Sequence, residues 1–205
     1  MEKNKNYLSP TVQNFVELKI KNSRFIGTAG PALNVESAKE SIISVSQKFP
    51  GASHHCYAFS VGFGSSATQG MSDDGEPSGT AGRPMLAVVN GAGISDIFVV
   101  ASRYFGGIKL GMGGLVRAYS DTAKSVLGIL KTEVKYESSL IRIVLPYRYY
   151  EVCKVRLIEM GSVIQNEKYG STVIFEVNVV SDKIKIIENM IRDITSGLAQ
   201  FDLVK

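Results

Sequence analysis

The chain has little cysteine and no long apolar run, and each shortage excludes a class of protein. Its 205 residues include 2 cysteines, Cys56 and Cys153, in no ligand-type spacing. This favours buried thiols in a reducing compartment over disulfides or a nucleophile. No apolar run approaches the roughly 18 residues of a membrane-spanning helix, and the polar residues 1–6 lead into no hydrophobic signal segment. We therefore expect a cytoplasmic protein.

Charge and glycine are unevenly distributed along a chain of ordinary globular composition, with 44% hydrophobic and 20% charged residues. Residues 1–130 contain 12 Lys+Arg and 9 Asp+Glu, whereas residues 131–205 contain 11 and 10. This mild basic bias is compatible with nucleic-acid binding but does not require it. Residues 1–130 also contain 17 of the 20 glycines. We therefore predict two domains, 1–132 and 137–205, joined near Lys131 to Tyr136.

Hydrophobic spacing predicts mixed α and β structure in the first domain. A helix with apolar residues from Val35 to Phe49 should be capped by Asn34 and stopped by Pro50-Gly51. We expect a long loop over 62–79 and a long helix beginning just after Gly113-Gly114. The other predicted elements are strands at 15–20, 24–29, 56–61 and 97–101, and a short helix at 83–90.

The second domain has a simpler pattern. Alternating apolar residues predict its strands, and apolar residues at helical spacing predict its helices. Gly161 and Gly197 should end the two helices, and a hairpin should turn at Gly170. The resulting order is βαββαβ, which predicts a ferredoxin-like fold.

Two groups of polar residues could form a site in the first domain. Asp73, Asp74 and Glu76 could attract a cation, but the spacing of a calcium loop is missing. Adjacent residues of a strand point to opposite faces, so His54 and His55 cannot readily ligate one ion. We therefore predict neither a metal site nor a catalytic centre here.

The carboxylates of this acidic stretch have a structural alternative. We expect them to accept hydrogen bonds from Thr80 and from the backbone of residues 79–82, and so to hold their own loop in place.

A glycine-rich stretch follows the buried strand that ends at Arg103. Backbone N–H groups at a helix start, together with nearby cations, can bind an anion. The glycines could instead only allow the strand to pack closely against the helix. Three cations, Arg103, Lys109 and Arg117, and two aromatic residues, Tyr104 and Phe105, favour binding. The predicted anion-binding residues are Arg83, Arg103, Lys109, Gly111, Gly113, Gly114 and Arg117.

Four blocks of sequence resemble the IMPACT/YigZ family, in the family's order: SRFI at 23–26, HHCY at 54–57, DDGEPSGTAGRP at 73–84 and RYFGGIKLG at 103–111. The resemblance covers about residues 15–130, and the last 70 residues look like the small ferredoxin-like domain that bacterial members append. It implies an α+β fold. The first domain should resemble domain 2 of ribosomal protein S5 and domain IV of elongation factor G, and the second should resemble domain V of that factor. It also marks a family-motif loop that comprises His54, His55, Asp73, Asp74, Glu76 and Thr80.

The resemblance also suggests a function. Eukaryotic relatives regulate translation by keeping a starvation-sensing kinase from its activator, and no catalytic activity or cofactor is attached to the family. We therefore expect a translation-associated, non-enzymatic protein that binds RNA or the ribosome through a face containing Arg83, Arg103, Lys109 and Arg117. One alternative is an enzyme of unknown substrate that uses His54 or His55 with the carboxylates of 73–76. Another is a protein-interaction module around Tyr104-Phe105.

Overall fold

The computed structural model describes residues 6–64 and 67–204. Their internal contacts divide the chain into two compact units, residues 6–135 and, among the described residues, 136–204. Both units combine helices and strands, so the chain is an α+β protein. Within the described residues, no helix is both long and apolar enough to cross a membrane.

The first unit is built on a five-stranded sheet of order β2-β3-β6-β4-β5, in which neighbouring strands are antiparallel. A separate two-stranded sheet pairs β1 with β7. In chain order the elements are β1 (Asn6–Pro10), β2 (Asn14–Ile20), β3 (Ser23–Pro31), α1 (Val35–Lys48), β4 (His54–Val61), β5 (Thr68–Ser72), α2 (Gly82–Gly91), β6 (Ile97–Tyr104), α3 (Met112–Leu127) and β7 (Thr132–Tyr136).

Helices cover both faces of the five-stranded sheet. Because side chains alternate along a strand, Val99 and Ala101 of β6 pack with α2 and α3, whereas Phe98 and Val100 pack with α1. Burial on both faces explains why β6 is a continuous apolar run. The core of the unit therefore has two layers of side chains, one on each side of the sheet.

Helices α2 and α3 run in the same direction along the sheet. Gly82, at the start of α2, lies against Ser72 of β5. Near the end of α2, the Asn90 side chain accepts a hydrogen bond from Gln69 at 2.8 Å, and Gln69 is level with Ile97, the first residue of β6, across β4. In α3, Tyr119 packs on Phe25 of β3. Further along α3, the methyl carbon of Thr122 lies 2.8 Å from the position that a Cβ on Gly27 would occupy. The starts of both helices therefore point towards the end of the sheet where β6 finishes.

Several predictions for the first unit are confirmed and others are wrong. The Asn34 side chain caps α1 by accepting a hydrogen bond from the Ser37 amide at 2.7 Å. The stretch 62–79 is not one long loop, because β5 pairs with β4 inside it. Helix α3 begins at Met112, so Gly113 and Gly114 lie within its first turn. The predicted junction at 131–136 contains β7, whose pairing with β1 the pattern did not reveal.

The second unit has the predicted βαββαβ order. Its elements are β8 (Ser138–Pro146), α4 (Tyr150–Glu159), β9 (Val163–Tyr169), β10 (Thr172–Val180), α5 (Ile184–Thr195) and β11 (Gln200–Leu203). The strands form one antiparallel sheet of order β11-β8-β10-β9. Its core joins sheet residues such as Phe175 to Cys153 of α4 and Ile187 of α5.

Candidate functional site

The loop over residues 73–82, here called the motif loop, is held by the carboxylate of Asp73. Oδ1 accepts hydrogen bonds from the amides of Ala81 at 2.9 Å and Gly82 at 2.8 Å, and Oδ2 accepts one from Gly79 at 2.8 Å. Burial raises the pKa of Asp73, but these three hydrogen bonds outweigh burial and keep the pKa below its ordinary value. Asp73 therefore supplies the negative charge that is favourable at the start of α2, where backbone amides have no partner within the helix.

These contacts confirm one part of the expected role of the carboxylates and correct another. Asp73 does accept hydrogen bonds from the backbone of residues 79–82. The Thr80 hydroxyl, however, donates to the carbonyl of Pro77 at 2.6 Å rather than to a carboxylate. Thr80 is buried and closes the turn within its own loop.

Asp74 and the two histidines connect the motif loop to β4. The Asp74 carboxylate accepts a hydrogen bond from the His55 amide at 2.5 Å, and its carbonyl lies 2.7 Å from Nδ1 of His54. Nδ1 of His55 lies 2.8 Å from the hydroxyl of the buried Ser102. The two imidazoles thus have separate partners. Burial lowers the pKa of His55 despite the opposing charge of Asp74, so its ring is neutral at pH 7.

Metal-ligating side chains are dispersed in this region. Across residues 6–64 and 67–204, no group of three or more His, Cys, Asp or Glu side chains is placed to hold a metal ion. His54, His55, Asp73 and Asp74 each hold a part of the backbone or a neighbouring side chain. The arrangement therefore braces the motif loop against β4.

Arg103 lies beneath the motif loop in a buried ion pair, not on an exposed face. Its Nη1 donates to Oε1 of Glu76 at 2.6 Å, and its Nη2 lies 3.3 Å from the Ser23 hydroxyl. The residue is 5% exposed. The Tyr119 hydroxyl donates to the same Glu76 oxygen at 2.7 Å. The prediction that Arg103 contributes to an exposed cationic surface is therefore wrong, because its charge is already neutralised inside the unit.

Two further buried groups adjoin this ion pair. Burial raises the pKa of Tyr119, with further contributions from Cys56 and Glu76. Burial also raises the pKa of the Cys56 thiol to about 12, and the thiol donates to the carbonyl of Asp73 at 3.0 Å. Both groups stay protonated at neutral pH, so Tyr119 can serve as a permanent donor to Glu76 and Cys56 is not a nucleophile.

The stretch 105–111, here called the glycine loop, leads from β6 into α3 and needs glycine at specific positions. A Cβ on Gly106 would lie 1.9 Å from the carbonyl oxygen of Asn22, so the close approach of two backbones requires glycine there. Gly107 and Gly111 have φ of 84° and 72°, which favour glycine. Gly113 differs, because a Cβ there would have no atom within 4 Å.

The start of α3 is open, in contrast to the start of α2. Gly111 occupies the N-cap position and, within the described residues, no side chain caps the helix. The first amides of a helix have no partner within the helix itself. At the start of α2, the amides of Ala81 and Gly82 bind Asp73, whereas at the start of α3 Gly113 is exposed. This end of α3 can accept an anion from outside the chain.

Exposed cations and apolar side chains surround the open helix start. Lys109 in the glycine loop and Arg117 one turn into α3 are exposed, and neither forms an ion pair with another described residue. Arg83, exposed at the start of α2, lines a groove shared with α3. Phe105 is 48% exposed and Met112 is 64% exposed. Arg83 therefore lies beside α3, and Lys109 and Arg117 lie near the start of that helix, whereas Arg103 is buried.

Tyr119 and Ser23 are the partners that the sequence did not reveal. Tyr119 matched the apolar stripe of a helix, and nothing in that spacing indicates a hydrogen bond to Glu76, 43 positions away. Ser23 lies in a recognisable sequence block, but its contact with Arg103 depends on the pairing of β3 with β6.

Comparisons with known proteins show to which family the chain is similar. Residues 21–127 match the family model of the Impact N-terminal domain. The chain is 36% identical over 197 residues to the Escherichia coli protein "IMPACT family member YigZ", covering 95% of this chain and 96% of that protein. It is 35% identical over 184 residues to the Bacillus subtilis protein "IMPACT family member YvyE", covering 88% and 83%.

A solved structure described as a hypothetical protein has a similar fold over nearly the whole length. Its TM-score is 0.77 at 35% identity, with 98% of each chain covered. The motif loop, the glycine loop and the buried pair of Glu76 and Arg103 all fall within the matched residues 21–127. The chain belongs to the IMPACT family.

Proposed function

We propose that this chain is a translation-associated, non-enzymatic binding protein that holds an RNA phosphate backbone at the open start of α3. The observation on which the proposal rests is the contrast between the two helix starts. Asp73 accepts hydrogen bonds from the amides of Ala81 and Gly82 at the start of α2, whereas α3 has Gly111 at its N-cap and no side-chain cap among the described residues. A phosphate would supply at α3 the negative charge that Asp73 supplies at α2.

The surrounding side chains suit a phosphate backbone. Lys109 and Arg117 lie near the helix start, and Arg83 adds a third exposed cation beside α3. Cations near a polyanion increase affinity by releasing condensed counterions. Phe105, with its ring partly exposed, offers a surface on which a base can stack. Nothing in this set selects a base by hydrogen bonding, so we expect shape and charge to dominate recognition.

The fold assignments made from the family resemblance support the same function. We infer that the first unit shares the fold of domain 2 of ribosomal protein S5 and of domain IV of elongation factor G. The βαββαβ order and the β11-β8-β10-β9 sheet of the second unit support a ferredoxin-like domain that resembles domain V of the same factor. Two free, buried cysteines support a reducing, cytoplasmic location.

The test measures the affinity for a single-stranded RNA oligonucleotide by fluorescence anisotropy over a range of salt concentrations. In the double variant Lys109→Ala/Arg117→Ala, binding should weaken, and the log–log salt slope should fall by about 0.7 for each phosphate that the variant no longer neutralises. The matched control is Lys19→Ala/Lys39→Ala, which removes two exposed lysines from β2 and α1. Equal slopes in the two double variants would refute the proposal.

A further inference from the structure

Helices α2 and α3 line an open groove on the surface of the first unit. Its volume is about 730 Å³. The floor is aliphatic, with Ala87 and Val88 from α2 and Val116 and Leu127 from α3. The side chains that the same helices turn towards the sheet, such as Val89 and Leu115, are buried in the core. Val88 and Leu127 of the floor also pack against that core, so the groove is the outer, partly exposed edge of the apolar surface that holds these helices on the sheet.

Positive charge lies on both sides of this groove. Arg83 lines it from α2 and Lys124 lines it from α3. Among the described residues that line it, none is acidic. Asp121 lies outside the lining, 3.7 Å from Lys124, with both side chains more than half exposed. An exposed pair of this kind contributes little, so Lys124 stays available to an acidic partner.

The dimensions of the groove suit a third helix. The lining stretch of α3 from Val116 to Leu127 spans about 17 Å at 1.5 Å per residue, which matches about three turns of helix. Gly91 of α2, Ala92 directly after it and Ser120 of α3 also line it, and residues this small allow another helix to approach closely. Within the described lining there is no aromatic side chain on which a nucleic-acid base could stack.

We propose that the groove between α2 and α3 is a docking site for an amphipathic helix of a partner protein, with an apolar stripe flanked by Asp and Glu. The apolar stripe would cover Ala87, Val88 and Val116, and the flanking carboxylates would pair with Arg83 and Lys124. This is the helix-in-groove mode of recognition, with anchors spaced at i, i+3, i+4 and i+7. This docking site is distinct from the proposed RNA site at the start of α3, because its apolar contacts are made by residues that the RNA site does not use.

The test titrates the full chain, labelled with ¹⁵N, with a synthetic helix of about four turns that has leucines on one face and glutamates beside them. A second peptide replaces every glutamate by lysine. We expect amide shifts at Ala87, Gly91 and Ser120 with the acidic peptide and at least about tenfold weaker binding of the basic one. The variant Ala87→Trp, which fills the groove, should weaken binding of the acidic peptide by about tenfold or more. Its control is Ser44→Trp on the exposed side of α1.

RNA binding is measured on the same variants so that the two proposals can fail separately. Ala87→Trp should leave RNA affinity unchanged, and Lys109→Ala/Arg117→Ala should leave binding of the acidic peptide unchanged. The inference is overturned if the acidic peptide shifts no groove amide, if both peptides bind equally, or if Ala87→Trp weakens only RNA binding. The last outcome would make the groove part of the RNA surface.

Discussion

Replacing Arg103 by methionine should destabilise the first unit strongly, because it leaves a buried carboxylate without its cation. Glu76 would keep only the hydrogen bond from Tyr119, while the hydrocarbon of methionine would fill most of the space between the rings of Phe25 and Phe105. Removal of one partner of a buried ion pair costs about 3–5 kcal/mol. At about 2–4 °C per kcal/mol, the melting temperature should fall by about 10 °C.

Two further variants separate the charge from other effects. Glu76→Gln keeps an oxygen acceptor for Tyr119 and for Arg103 but leaves the buried guanidinium without its counter-charge, so we expect a comparable cost of about 3–5 kcal/mol. The double variant Glu76→Gln/Arg103→Met should cost less than the sum of the two single changes, because the residues are in direct contact. Arg24→Met is the matched control. Arg24 pairs with Glu17 at 3.0 Å with both side chains about half exposed, and exposed pairs contribute about 0.2–1 kcal/mol.

Native-state hydrogen exchange suits this comparison because it reports each unit separately. Amides of β6, which is central in the sheet of the first unit, should exchange faster in Arg103→Met by the factor that corresponds to the decrease in the free energy of unfolding. Amides of β8 and β10 in the second unit are the internal reference and should not change. If Arg103→Met accelerates exchange of β6 no more than Arg24→Met does, the buried pair does not stabilise the first unit.

Three smaller predictions concern the loops. Asp73→Asn should lower the free energy of unfolding by about 1.5–3 kcal/mol at pH 7. Because the pKa of Asp73 is lowered in the folded state, the difference from wild type should shrink as the pH falls below about 4 in urea titrations. Gly106→Ala should destabilise the chain in thermal melts because its Cβ would clash with Asn22. Gly113→Ala should be neutral or stabilising by up to about 1 kcal/mol, and equal effects of the two variants would show that Gly106 is not closely packed. Cys56, whose pKa burial raises to about 12, should react with a thiol reagent only after denaturant is added, and rapid reaction of native protein would show that the thiol is accessible.

Local sequence patterns determined most of the regular structure. The apolar spacing from Val35 to Phe49, with Asn34 before it and Pro50 after it, sufficed for α1, because helix caps and breakers act within a few residues. The alternation in the second unit likewise sufficed for its βαββαβ order. Both depend on contacts between residues close in the chain and on the burial of one face.

Weakly apolar strands and backbone contacts could not be predicted in the same way. The segment of β5, Thr68–Ser72, is polar and contains Gly70, so it resembles a loop until β4 pairs with it. Gly113 and Gly114 looked like residues before a helix, because glycine disfavours helix interiors. In the first turn of α3 that cost is small, and the helix begins at Met112.

The candidate site shows the same division most clearly. The blocks around residues 54–57, 73–84 and 103–111 identified the family from sequence, since the residues themselves mark it. The role of Arg103 was decided only by tertiary structure. A cation at the end of an apolar strand has the same sequence pattern whether it faces solvent or a carboxylate. A buried charge requires a partner of opposite charge, and the linear sequence does not show which residue that partner is. Only the folded motif loop brings Glu76 within 2.6 Å of Arg103. Lys109 and Arg117 have no such partner among the described residues and are exposed.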